Sequence, residues 1–164
     1  MSEIRSMFNI ARLLMCALLA LSVVHNVSAA EKYKPFVLAS TQSGSLSDVV
    51  MKTKEALMNQ GFDIAGEYAP YEGAYVIVVT NDELKRNAAQ TKMGGFGAIQ
   101  RVGITEHNGK VQVAYTNPPY MANAYRMKGD LSGVAAQLKT ALGAEKQFGA
   151  EGLTARSLRE YHYK

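Results

Sequence analysis

GFGAIQRVGITEHNGKVQVAYTNPPYMANAYRM, residues 95–127, reads as strand, tight turn, strand and then a helix opened by proline. Asn108-Gly109 is the favoured pair for a two-residue type I′ turn, in which both central residues need positive φ. With His107 opposite Lys110, Glu106 meets Val111, Thr105 meets Gln112, Ile104 meets Val113, Gly103 meets Ala114, Val102 meets Tyr115 and Arg101 meets Thr116. One face then carries Val102, Ile104, Val111, Val113 and Tyr115. The other carries Arg101, Gly103, Thr105, His107, Lys110, Gln112, Ala114 and Thr116. Shifting the pairing by one residue would mix the two sets, so turn chemistry and hydrophobic pattern agree on this register.

At the front of the chain, Arg5 and Arg12 precede an apolar run, Leu13–Val24, and Val27-Ser28-Ala29-Ala30 supplies small residues where a signal peptidase cuts. Residues 1–30 therefore read as a secretory signal peptide, because a dozen or so apolar residues fall short of the ~20 that span a bilayer. Cleavage near Ala29-Ala30 predicts a periplasmic or secreted protein with no membrane span. The only cysteine, Cys16, lies inside the apolar run, so its loss with the signal removes disulfide, thiol and cysteine–metal chemistry. The remaining 134 residues suit one domain. Residues 1–30 hold Arg5 and Arg12 against Glu3, one positive charge of the chain's +4, which leaves +3. That excess is scattered, at Lys52 and Lys54, Lys85 and Arg86, Arg156 and Arg159. Nucleic acid would call for a clustered basic footprint, and none is present.

Between the signal and the hairpin, Phe36–Ala39 reads as a short strand and Ser45 as the N-cap of a helix with Leu46, Val49, Val50, Thr53 and Leu57 on one face. Gly61 stops that helix. Residues 62–68 alternate as a strand, and Ala74–Thr80 is apolar on both faces, the mark of a covered central strand. Asn81 caps the next helix, with Asp82 and Glu83 in its first turn. TKMGGFG, residues 91–97, reads as a flexible loop. Its glycines lie between a helix and a strand, the wrong order for a phosphate cradle. After the hairpin, Asn117 caps a helix begun by Pro118. Gly129-Asp130 breaks and recaps, and Leu131, Val134, Ala135, Leu138 and Leu142 give an amphipathic helix ended at Gly143. Thr154 caps a last short helix.

Three stretches, GFDIAGEY, VVTNDEL and NGKVQVAYTNPPYMANAY, resemble the bacterial and archaeal family known as domain of unknown function 302, of which this would be a secreted bacterial member. The resemblance covers about 45–142. It implies an α+β domain with an antiparallel sheet of about five strands, helices packed on one face, and a TATA-binding-protein-like arrangement; the element order read above, β-α-β-β-α-β-β-α-α within a single domain over 31–147, fits that. It brings no established activity. Residues 148–164 form a C-terminal tail beyond the shared core, and longer relatives continue past this point, so the end at Lys164 reads as a truncation.

No residue pattern spells out a reaction or calls for a cofactor. A copper or zinc site would have to use His107 and His162, which lack ligand spacing. A small periplasmic enzyme would need Glu67, Glu106 or His107 as acid or base, with nothing in the sequence to bring them together. The more concrete reading is a noncatalytic ligand-binding or accessory domain that uses the polar face of the 98–117 hairpin. There Arg101, Gln112, Thr116 and Asn117, with Tyr120 at the rim, surround the small pair Gly103 and Ala114. Such a face suits a small polar or anionic ligand, a protein partner, or a second copy of the chain in a homodimer.

Overall fold

Asn108 and Gly109 take φ of 49° and 69°, the paired left-handed conformation of a type I′ turn. The strands beside them hold the register read from the sequence, from His107↔Lys110 through Val102↔Tyr115. The computed structural model describes residues 30–92 and 94–161. The segment read as a signal, Cys16 within it, and His162 lie outside the described residues.

The elements run β1 (Lys32–Tyr33), β2 (Phe36–Gln42), α1 (Leu46–Asn59), β3 (Asp63–Tyr68), β4 (Ala74–Thr80), α2 (Asp82–Ala89), a 3₁₀ turn (Gly94–Gly97), β5 (Gln100–His107), β6 (Lys110–Thr116), α3 (Pro118–Ala124), α4 (Ser132–Leu142), β7 (Lys146–Phe148), β8 (Leu153–Thr154) and α5 (Ala155–Glu160). Six strands form one antiparallel sheet in the order β3-β4-β5-β6-β2-β7, while β1 and β8 pair separately. The α+β class and the antiparallel sheet are as expected, with six strands where about five were read. The sixth, β7, pairs Phe148 with Phe36 and Lys146 with Leu38. Three residues with no alternation leave no periodic signal to find.

The core lies between one face of the sheet and the helices α1 and α4. Val102, Ile104, Val111, Val113 and Tyr115 of the hairpin join Ile77 and Val79 of β4, Val49 and Leu57 of α1, and Val134 and Leu138 of α4. The hairpin and helix residues are the positions that period-two and period-3.6 patterning assigned inward; in β4, read as apolar on both faces, Ile77 and Val79 enter the core while Val76 stands on the open face. Ser45 caps α1 by accepting from Asp48 N at 3.1 Å, and Asn81 caps α2 by accepting from Leu84 N at 2.9 Å. Asn117 differs: it occupies the N-cap position of α3, yet its side chain makes no capping bond. Pro119 stands at the second helical position and removes one of the two amides such a cap could serve. Ahead of α4, Asp130 accepts from Ser132 N at 2.9 Å, and this bond holds its carboxyl below the usual carboxylate range.

The chain beyond Phe148 is built into the domain. Leu158 is buried. The Arg159 guanidinium donates to Asn123 Oδ1 at 2.7 Å and to Met127 O at 2.8 Å, and Arg126 donates to Arg159 O at 2.7 Å.

Tyr115 carries a pH signature of this core. Its hydroxyl donates to Gly143 O at 3.2 Å, and burial pushes its pKa up to about 12. The phenol is therefore harder to ionise folded than unfolded, where it titrates near 10. Stability linked to it is intact below pH ~10 and is lost as pH rises toward ~12, by about 2 to 3 kcal/mol. Denaturant melts between pH 9 and 12 are expected to show this slope in the native protein and a flatter one in Tyr115→Phe.

Candidate functional site

Helices cover one face of the sheet, and the pairing fixes what stands on the other. One row across the strands runs Tyr68, Val76, Gly103, Ala114 and Leu38. The neighbouring row joins Gly66 to Val78 and Val78 to Arg101, and joins Thr116 to Phe36 and Phe36 to Phe148. Gly103 and Ala114 therefore lie at the middle of the face with larger side chains to either side. The result is a trough of about 430 Å³ lined by Pro35, Phe36, Tyr68, Val76, Arg101, Gly103, Ala114, Tyr115, Thr116 and Met121. A Cβ built on Gly103 meets nothing nearer than Ala114 O at 4.0 Å, so the floor there is open space.

The trough is largely apolar, whereas the sequence reading expected a polar cradle. Tyr68 is 51% exposed and Phe36 is 42% exposed. The Phe36 ring lies 5.7 Å from that of Phe148, tilted by 37°. This leaves an aromatic wall on one side and a tyrosine on the other. Arg101 is the only charged residue in the lining. Among the described residues its guanidinium has no acidic partner.

The expected site residues separate. Arg101 is exposed on the trough. Thr116 is only 8% exposed; its hydroxyl accepts from Arg101 N at 3.1 Å and donates to Gln100 Oε1 at 2.6 Å. It buttresses the strand and does not offer a free group. Asn117, 4% exposed, donates to Lys34 O at 2.8 Å and to Gln147 Oε1 at 3.0 Å. It lines a different depression of about 270 Å³, with Pro118, Lys139 and Lys146. Gln112 pairs with Thr105 and Thr41 toward the turn, outside the trough lining. Tyr120 is half-buried on α3 and also stands outside that lining. Phe36 and Tyr68 line the trough without a signal in the sequence, because only the strand order brings them beside the hairpin, and Met121 reaches it from α3.

His107 is exposed at the hairpin end, with its Nε2 3.1 Å from Asn108 Nδ2. Among the described residues no three His, Cys, Asp or Glu side chains gather as a metal set. Glu67 pairs with Lys54 at 2.6 Å, which holds its carboxyl below the usual range. A polar cleft of about 470 Å³ includes Asp63, Asn81, Asp82, Glu83 and Arg86. Lys85 engages Asp63 at 3.1 Å and Asp82 at 3.5 Å, while Asn81 serves α2 and donates to Gln137 at 2.9 Å. Most of its polar groups are thus committed to holding α2 in place.

The same fold occurs in a solved structure described as an uncharacterised conserved protein DUF302 from Bacillus stearothermophilus. It superposes with a TM-score of 0.57 at 14% identity, over 63% of this chain and 92% of that one. At that identity the likeness shows the fold alone. No family model matches the chain, and no curated protein does. Among the described residues no helix is long and apolar enough to cross a membrane.

Proposed function

We propose that this chain is a noncatalytic binding domain, periplasmic or secreted, that takes its ligand or partner on the open face of the sheet. The observation that carries the reading is the trough over Gly103 and Ala114, an apolar depression with one uncompensated guanidinium at its side. Folding leaves side chains such as Phe36 and Tyr68 in water at a free-energy cost that burial by a ligand would relieve. The volume falls in the lower part of the range of small-molecule sites, about 300–1,000 Å³. The arginine and basic-flanked apolar run at the front of the chain support the compartment.

The test is untargeted mass spectrometry of the small molecules and proteins that accompany the mature protein from its native envelope, alongside Gly103→Val. Valine fills the floor from the open side and leaves the core untouched. A species carried by the native protein and missing from the variant is the expected result. Identical profiles for the two proteins would count against the open face as the functional surface.

A further inference from the structure

We infer that the occupant of the trough is a small organic monoanion with a flat apolar body, held by one carboxylate or similar acidic group against Arg101. This rests on the reading of the open sheet face as a binding surface and adds the chemistry of what binds.

Three features fix the class. The floor is formed by Gly103 and Ala114 on adjacent strands, with Val76 beside them, so it presents a nearly flat apolar surface between taller walls. Tyr68 on one side and the paired rings of Phe36 and Phe148 on the other suit the edges and faces of a ring system, since aromatic groups pack well at low entropic cost. The lining has one charge and it is positive. Arg101 has no carboxylate among the described residues to neutralise it, and a guanidinium matches a carboxylate with two parallel hydrogen bonds.

The single cation also limits the ligand's charge. A dianion such as a phosphate monoester would leave its second charge partly desolvated over an apolar floor with no partner, which is costly. A neutral ligand could accept a hydrogen bond from the guanidinium but would forgo the paired-charge part of the interaction. A homodimer formed face to face about a twofold axis through the trough would bring the two Arg101 side chains toward each other with no acid in either lining, so charge complementarity favours a small anion over a second copy.

The experiment uses naphthoate as probe and naphthamide as its neutral counterpart of the same shape. Both are titrated by calorimetry into the native protein, Arg101→Gln and Gly103→Val, with analytical ultracentrifugation of each protein alone. Naphthoate is expected to bind the native protein roughly tenfold tighter than naphthamide. Arg101→Gln should erase that preference and keep the weaker binding of both compounds. Gly103→Val should bind neither, while its thermal midpoint stays at or above the native value, which separates a filled trough from an unfolded protein. Equal binding of the two compounds, unaffected by Arg101→Gln but abolished by Gly103→Val, would overturn the anion while leaving the binding face standing. Binding of neither compound, or binding that Gly103→Val leaves intact, would overturn the inference. A concentration-dependent dimer broken by Gly103→Val would also overturn it, in favour of a second copy as the occupant, and the open-face reading would survive.

Discussion

Ile104→Ala is expected to lower the unfolding free energy by about 3 to 5 kcal/mol, at the upper end of what deletion of a buried aliphatic side chain costs. Ile104 is 0% exposed. It sits at the middle of β5, opposite Tyr75 on one side and Val113 on the other, with α1 packed over the same strand. Strand neighbours fixed by hydrogen bonds cannot close in on the space left behind, so most of the cavity persists and its cost adds to the lost transfer free energy. Urea unfolding followed by circular dichroism measures the loss. The adjacent residue is its control: Thr105 points to the open face, and Thr105→Ala is expected to change stability by less than about 0.5 kcal/mol. Similar losses at the two positions would mean that the open face is packed too, which would remove the trough.

Gly94→Ala is expected to cost about 3 kcal/mol or more, which exceeds the usual overpacking penalty because the obstacle is main chain. A Cβ at Gly94 would overlap the carbonyl oxygen of Ala88 and stand 2.9 Å from its carbonyl carbon and 3.0 Å from its Cα. These atoms close the last turn of α2, and Thr91 N donates to the same oxygen at 3.2 Å. To make room, α2 must shift or the 3₁₀ turn must open. Gly97→Ala provides the comparison. Its Cβ would meet the thioether of Met127, a side chain with several rotatable bonds that can move aside, so a smaller loss is expected. Thermal unfolding of the two variants side by side tests this, and a Gly94→Ala protein as stable as Gly97→Ala would contradict the close approach.

The hairpin could be read in full because its determinants are local. The turn pair, the alternation and the register lie within about twenty residues and reinforce one another. The caps at Ser45 and Asn81 were equally legible, since each acceptor sits three residues from the amide it serves. Asn117 is committed to distant partners, since Lys34 and Gln147 lie on opposite sides of it in the sequence. Thr116 bonds within the hairpin itself, to Arg101 N and Gln100 Oε1, and strand alternation carries no sign of such a side-chain bond. The same nonlocality hid the apolar character of the face. Arg101, Gly103 and Ala114 lie on the hairpin itself, whereas Phe36 and Tyr68 reach the trough only through the strand order. Gly94 illustrates a related point: three glycines within four residues suggest freedom, and the close packing that requires one of them cannot be seen from composition.

The strand order has a consequence for the time course of folding. β2 is the first strand of the main sheet in sequence, yet it is clamped between β6 and β7, so Phe36 must find Thr116 on one side and Phe148 on the other. A chain emerging from its N-terminus can complete α1, β3, β4 and the β5–β6 hairpin from neighbours already made. It cannot finish β2 until residue 148 is available. Such long-range closure slows folding relative to the local hairpin. β2 therefore stays unpaired until β6 follows it, and it gains its second neighbour only when β7 is made.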